Sequence, residues 1–372
     1  MILHGNCLYI MPTLKAGSFH TSVTSPPYWG LRDYGLPESD WPEVTYTPMP
    51  GLQPIAVPPW TGCLGLEPTP EMFVAHMVLV FREVWRLLRD DGTLWLNFGD
   101  SYASSGVKRD EGLNEHRPKR SQPAALKPKD LIGIPWRVAF ALQADGWYLR
   151  MDNIWAKPNP MPESVGDRPT KAHEYMFLLA KSEKYYYDKE AIKEPGVQDE
   201  WANGFRGGAY TGGKTFDNQD GGKRTVRGNF RVPAGWDTEP GSHGTIHRTG
   251  RTSNSFARKV KESPPPGQPQ QHRPDREPVE YSGMRNKRSV WTVATQPFPE
   301  AHFATFPEKL IEPCILAGAP VGGHVFDPFG GSGTTEKVAL ENNRECTIIE
   351  MGSQYVEIAK RRTAVVQPNL IF

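Results

Sequence analysis

Val325-Phe326-Asp327-Pro328-Phe329-Gly330-Gly331-Ser332-Gly333-Thr334-Thr335 is the stretch whose reading fixes the kind of sheet this chain builds. An apolar run ends in an acid, a glycine-rich loop follows, and threonines open the next periodic segment. In an open, doubly wound parallel sheet, a nucleotide-like ligand sits at the carboxyl end of such a strand. The glycines let backbone approach a ligand closely, and the following helix offers free N–H groups and the positive end of its dipole. The loop is neither Gly-x-Gly-x-x-Gly nor a Walker loop, since no Gly-Lys-Ser/Thr follows. A tight strand-to-helix turn needed only for packing has the same pattern. About twenty residues on, the next strand ends at Glu350, a carboxylate placed to accept from ribose hydroxyls.

Around this loop the C-terminal part reads as a helix over Pro307 to Ala317, a strand His324 to Asp327, a helix Thr334 to Glu341, a strand Glu345 to Glu350 and a helix Ser353 to Arg362. The N-terminal part alternates in the same way. Met1 to Leu8 and Ser18 to Thr24 read as strands, the second stopped by Ser25-Pro26-Pro27, because proline has no N–H for a ladder. Trp29 to Thr69, rich in Pro and Gly, reads as a long loop. Thr69-Pro70-Glu71 carries an N-cap, a first-turn proline and an acid, opening a helix to Leu88 with Phe73, Met77, Val80, Phe81, Val84 and Leu88 at helical spacing. Asp90-Asp91-Gly92 turns into a strand Thr93 to Asn97, and a polar loop covers Ser101 to Lys129. A helix Pro135 to Ala144 and strands Tyr148 to Ala156, Tyr175 to Ala180 and Lys184 to Asp188 follow. Strands alternating with helices at both ends of the chain predict a three-layer α/β sheet.

Composition sets the bounds. The chain has 372 residues, 38% hydrophobic and 23% charged, with 36 Gly and 36 Pro that imply long loops. No run approaches the ~20 apolar residues of a membrane span, and the N-terminus has no signal-peptide pattern. Cys7, Cys63, Cys314 and Cys346 are scattered, which argues against a zinc site or disulfide framework and suits a reducing cytoplasm. No metal site is expected. Between Gly204 and Val290 there are sixteen Lys or Arg against eight Asp or Glu, so this segment carries about +8 and the remainder about −7. A polyanion-binding segment and a solvated loop both fit that asymmetry. The chain is divided accordingly into 1–194, a Gly-, Arg- and Pro-rich segment 195–289, and 290–372.

Thr24-Ser25-Pro26-Pro27-Tyr28 is the second motif that carries chemistry. The prolines fix the backbone direction, so Ser25 Oγ and the Pro26 carbonyl form two neighbouring acceptors, and Tyr28 supplies an aromatic face. Together they suit an extrahelical base: the acceptors hold its amino group and the ring stacks on it. Alone, the motif reads more simply as a strand-ending turn with a core tyrosine.

The pair of motifs resembles the β-class DNA amino-methyltransferases of restriction–modification systems and phages. Ser25-Pro26-Pro27-Tyr28 resembles their catalytic motif, the Asp327 loop resembles their S-adenosylmethionine (SAM) motif, and the order of the two matches. The resemblance covers roughly 1–190 and 290–372. It implies a Rossmann-like SAM-dependent methyltransferase sheet with an inserted, loop-rich target-recognition segment. It assigns Asp327, Pro328, Phe329, Gly331, Ser332, Gly333 and Thr334 to the cofactor loop and Glu350 to the ribose. His302, Phe303, Phe306 and Pro307 go to the methionine part of SAM. His4-Gly5-Asn6-Cys7-Leu8 resembles a Gly-Asp-Cys-Leu stretch beside the adenine, with Asn6 in place of the usual acid. Trp155-x-Lys157-Pro158-Asn159, Arg168, His173-Glu174 and Lys181 resemble later motifs flanking the base pocket, with Lys157 a DNA contact.

A sulfonium methyl is already activated, so the protein must align a poorly nucleophilic exocyclic nitrogen with it. Ser before Pro-Pro-Tyr resembles the N4-cytosine form of the family, and Asp or Asn the N6-adenine form. N4-cytosine is therefore the expected target and N6-adenine the alternative, with a non-catalytic nucleic-acid-binding module, and an RNA or protein methyltransferase, as rivals. Expected partners are double-stranded DNA, a restriction endonuclease of the same system and a second copy of the chain. In the basic segment Arg206, Arg224, Arg227, Arg231, Arg248 and Arg251 are the expected DNA contacts.

Overall fold

The protein is represented by a computed structural model that describes residues 1–103, 126–196, 284–296 and 306–366. It divides into two compact units, one of Met1–Lys193 with Asn286–Phe372 and one of Glu194–Arg285.

The first unit opens with β1 (Ile2–His4) and a one-turn α1 (Cys7–Ile10). The expected strand to Leu8 is therefore shorter: Asn6 adopts extended backbone and its side chain accepts from Leu8 N, capping a helix where the strand was to continue. Next come β2 (Phe19–Thr24), then β3 (Ser39–Trp41), β4 (Val44–Tyr46), β5 (Ile55–Val57) and β6 (Trp60–Gly62). The last four correct the expected loop. They form antiparallel pairs β3–β6 and β4–β5, nested one inside the other along the chain. Runs of three residues are too short to show periodicity, and proline-rich flanks mask them.

Helix α2 (Pro70–Leu87) has Thr69 accepting from Met72 N, as its sequence predicts. The chain passes directly into β7 (Leu88–Phe98). Asp90-Asp91-Gly92 is not a separate turn but an irregularity within that strand: Phe19 pairs with Leu88 and Thr21 with Thr93. Then follow α3 (Ile134–Ala144), β8 (Tyr148–Ala156) and β9 (His173–Ala180). Residues 184–188 form no strand. The second unit's described part is β10 (Glu194–Pro195) antiparallel to β11 (Met284–Arg285), with Arg285 Nε donating to Glu194 Oε1 at 2.9 Å. The first unit resumes with β12 (Val290–Thr292), α4 (Glu308–Gly318), β13 (His324–Asp327), α5 (Thr334–Glu341), β14 (Glu345–Glu350) and α6 (Ser353–Ala364).

Eight strands form the main sheet in the order β1-β14-β13-β2-β7-β9-β8-β12. The first five are mutually parallel, β9 is antiparallel to both neighbours, and β12 is parallel to β8. Alternation along the strands separates two cores. Leu94, Leu96, Phe98, Phe177, Phe326 and Ile349 pack with α2 and α3, whereas Val23, Trp95, Leu178, Val325 and Ile348 pack with α4 and with Val338 and Ala339 of α5. The result is the expected three-layer α/β sheet. From β13 the crossover runs to β14 on one side, and from β2 the chain runs to β7 on the other. The switch point therefore lies between the carboxyl ends of β2 and β13, where a doubly wound sheet opens a crevice for a ligand. Among the described residues, no helix is long and apolar enough to cross a membrane.

Candidate active site

Both motifs meet at that switch point. Pairing of Val325 with Thr21 and of Phe326 with Ser22 brings the end of β13 beside the end of β2. Asp327 Oδ1 accepts from Thr24 Oγ1 at 2.6 Å and from Phe329 N at 2.9 Å, and Oδ2 accepts from Thr335 Oγ1 at 2.7 Å. One buried carboxylate thus pegs together the strand that leads into Ser25, the glycine loop and the start of α5. Burial pushes it up to about 6 despite the three donors. It organises the loop rather than facing out of it.

The loop's glycines serve different ends. At Gly330 a Cβ would lie 2.8 Å from the Ile348 side chain, and at Gly333, with φ +78°, 2.7 Å from Ala359 Cβ. Those two are packing requirements. Gly331, with φ +50°, has nothing nearer a Cβ than Phe329 O at 3.9 Å. The surface above Gly331 is therefore open to a ligand. From α6, Arg362 reaches Ser332 Oγ at 2.8 Å, Thr334 Oγ1 at 3.0 Å and Glu308 Oε1 at 3.0 Å. Glu308 also accepts from Lys337, so the start of α4, with Pro307 at its N-cap position, is tied to the loop. Pro328 is buried under the loop and Phe329 packs against the α2 core. Phe306 packs on the α4 side; His302 and Phe303 lie outside the described residues.

Glu350 ends β14 with its oxygens accepting from Gly331 N at 2.8 Å and Gly352 N at 2.6 Å. Burial raises its pKa, and the two amides oppose that rise. Each oxygen keeps a second lone pair, so the carboxylate can still accept from a pair of hydroxyls. Asn6 is more committed. Its Oδ1 caps α1, and its Nδ2 donates to Ser39 Oγ at 2.7 Å.

Across the switch point lies a polar network. The Tyr28 hydroxyl is 2.9 Å from both Asn97 Oδ1 and Glu174 Oε2, with one proton to share between them. Burial, then the charge of Glu174, raises the phenol well above its usual range, so it remains a donor. Ser25 Oγ lies 3.3 Å from Asn97 Oδ1 and 3.4 Å from the phenol oxygen. Both are at the weak limit of hydrogen bonding, so its lone pairs remain available to another donor. Lys157 pairs with Glu174 and lies 4.2 Å over the Trp155 ring. Its charge is met within the pocket rather than displayed on an open surface. Gly99 makes room for the tyrosine: a Cβ there would sit 2.7 Å from the Tyr28 ring. Pro26 is buried and Pro27 partly so.

Asn97 and the pegging role of Thr24 are not evident from the sequence. Asn97 is 1% exposed and closes an apolar strand, and a buried polar residue in that position was the available signal. Arg168 pairs with Glu163 and stacks on Tyr102, apart from the network, and Lys181 donates to Leu88 O at the other end of β9. Arg206, Arg224, Arg227, Arg231, Arg248 and Arg251 lie outside the described residues.

A family model described as DNA methylase, of the N6/N4 methyltransferase type, matches residues 19–361. The type II methyltransferase M.Cfr9I of Citrobacter freundii is 38% identical over 100% of this chain and 89% of its own length. M.SmaI of Serratia marcescens is 37% identical over 97% and 89%. Among solved structures, the cytosine-N4-specific PvuII DNA methyltransferase aligns with a TM-score of 0.52 at 16% identity, covering 100% of this chain and 87% of that one. A putative DNA modification methylase of Thermus thermophilus, complexed with S-adenosyl-L-methionine, aligns with a TM-score of 0.50 at 18% identity, covering 99% and 95%.

Proposed function

The chain belongs to the N6/N4 family of DNA methylases, and from that premise we propose that it transfers a methyl group from S-adenosyl-L-methionine to the N4 amino group of a flipped-out cytosine. The observation that carries the choice of base is Ser25 ahead of Pro26-Pro27-Tyr28, a neutral hydroxyl held loosely by Asn97 and Tyr28. The cofactor, when bound, supplies a methyl already activated on sulfonium. Glu350 holds its ribose hydroxyls, and the open backbone at Gly331 admits it; Ser332, Gly333 and Thr334 keep that backbone in place, and Asn6 flanks it. Ser25 Oγ and the Pro26 carbonyl accept from the amino group and turn its lone pair toward the methyl. Tyr28 stacks on the base while Asn97 and Glu174 hold its phenol.

The state of the cysteines supports an amino target over a ring carbon, which needs a thiolate nucleophile. Burial raises all four thiols, Cys7 up to about 12. The same reading includes 195–289 as the target-recognition segment, a restriction endonuclease sharing the recognition site, a homodimer, and a reducing cytoplasm, to which four free cysteines are suited. The deciding experiment incubates double-stranded DNA, and in parallel RNA and a protein mixture, with the protein and labelled SAM, then digests the nucleic acids to nucleosides and separates them by mass. Labelled N4-methylcytosine is the expected product. Labelled N6-methyladenine overturns the choice of base, and label only in RNA or protein overturns the substrate.

A further inference from the structure

Between the two motifs, 29–69 takes no direct part in the chemistry, yet its Glu67 meets His76 of α2 in a deeply buried hydrogen-bonded pair. His76 on α2 is fully buried and Glu67 is 3% exposed. His76 Nδ1 lies 2.9 Å from Glu67 Oε1, while Nε2 has no partner among the described residues. A bare N–H at Nε2 would be costly in that setting, so the proton belongs on Nδ1, donating to Glu67. The imidazole is held flat by Trp41 and Trp60, cross-strand partners in the β3–β6 pair, whose rings stack on it at 4.2 and 5.7 Å with interplanar angles of 19° and 18°.

The other Glu67 oxygen faces the catalytic turn. Oε2 accepts from Gly65 N at 2.8 Å. Gly65, at φ +94°, lies directly against that turn: a Cβ there would be 3.3 Å from Pro27 Cβ and 3.3 Å from Tyr28 O. Its carbonyl accepts from Gly30 N at 2.7 Å, and the Glu67 carbonyl accepts from Trp29 Nε1 at 2.9 Å. Residues 65–67 therefore grip the chain just before and just after Tyr28. Their own position is referenced, through Glu67 and His76, to the core helix α2.

We propose that Glu67 and His76 are positioning residues for methyl transfer: the pair locks the Gly65 turn against Pro27–Tyr28 and so fixes the direction in which Ser25 and Tyr28 present themselves to the base. The inference rests on the proposed methyltransferase reading for its kinetic consequence but not for its structural one. A misplacement of about 1 Å costs turnover about a hundredfold even when made away from the reacting atoms. It leaves cofactor affinity alone, because the Asp327 loop and Glu350 are pegged separately.

The test compares wild type, Glu67→Ala and Glu67→Gln. Glutamine keeps an acceptor for Gly65 N–H and alanine does not. Expected for Glu67→Ala are a kcat lower by about tenfold to a hundredfold, KM for DNA and Kd for SAM near wild type, and faster hydrogen exchange at the Gly30 amide with α2 amides unchanged. Glu67→Gln should recover most of the kcat and the Gly30 protection. If Glu67→Ala does not fold, His76→Phe, which keeps the ring stack and removes the N–H, is expected to show the same split more weakly. Wild-type kcat and Gly30 exchange in these variants overturn the proposal, as does a parallel fall in SAM affinity and kcat, the mark of general loosening. A wild-type protein that methylates no DNA, with Gly30 exchange still dependent on Glu67, sinks the catalytic reading and the proposal's kinetic half while its structural half stands.

Discussion

Burial lifts the Asp327 carboxyl from its ordinary 3.8 to about 6 even though three donors point at it. A folded value above the unfolded one means that folding takes up a proton between them. The stability associated with this group is complete below pH 3.8 and is lost as pH rises through about 6. A shift of about two units corresponds to about 3 kcal/mol. Asp327→Asn keeps a carbonyl for Thr24 and Phe329 and never ionises. It is expected to match wild type near pH 4 and to gain up to about 3 kcal/mol on it by pH 7; urea denaturation at the two pH values measures this, and an equal difference at both would refute the buried charge. Tyr28 makes a second residue-scale prediction. Tyr28→Ala removes a base stack of ~1–3 kcal/mol and empties the Asn97–Glu174 network of its phenol, so kcat falls far more than SAM affinity. Calorimetry beside single-turnover kinetics checks it; equal losses would move Tyr28 into the cofactor pocket. Ser25, Tyr28, Asp327 and Glu350 were legible because each stands in a local pattern of proline, glycine or strand end. The partners that define their work, Asn97 for Tyr28 and Thr24 for Asp327, lie 69 and 303 residues away.

Among the elements, α2 is both core and reference frame. Phe73, Met77, Val80, Phe81, Val84 and Leu87 are fully buried, and Glu71 sits in its first turn. Its spacing and its Thr-Pro-Glu start made it readable from sequence, because helical period and capping are properties of neighbouring residues. The Thr69 cap bond to Met72 N is 3.2 Å. Thr69→Ala is expected to cost about 1 kcal/mol of stability and to leave SAM affinity unchanged, as thermal melting and calorimetry would show. A loss well beyond ~2 kcal/mol would mean that the cap also holds the neighbouring Glu67 turn. The hairpin strands β3 to β6 were illegible for the converse reason. They are stabilised by partners across the pair and by packing of Val44 and Val57 in the α2 core, not by any repeat within three residues.

At the scale of the whole molecule, the chain separates a compact unit that carries both motifs from the unit Glu194–Arg285. The net charge of about +8 near this second unit is a property of composition. Deleting 207–250 is expected to leave the protein folded and SAM-bound while abolishing methylation at its DNA site. For every phosphate that the shortened protein no longer neutralises, the slope of log affinity against log salt should become shallower by about 0.9. A deletion variant that methylates the same site at the wild-type rate would reduce the segment to a tolerated insertion. From the sequence alone came the alternation of strands and helices, the glycine loop after Asp327, the acid at Glu350 and the Ser-Pro-Pro-Tyr turn. All are set by local periodicity and by the backbone freedom of single residues. Tertiary structure alone decided that β2 lies beside β13, so that the chain's two motifs meet at a switch point. It also decided that Asp327 is a peg, that the Asn6 side-chain carbonyl caps a helix, and that Glu67 links His76 of α2 to the Gly65 turn beside Pro27 and Tyr28. The reason is physical: a buried polar group takes whichever partner the strand order and packing bring within reach, and that choice is not written in its neighbours along the chain.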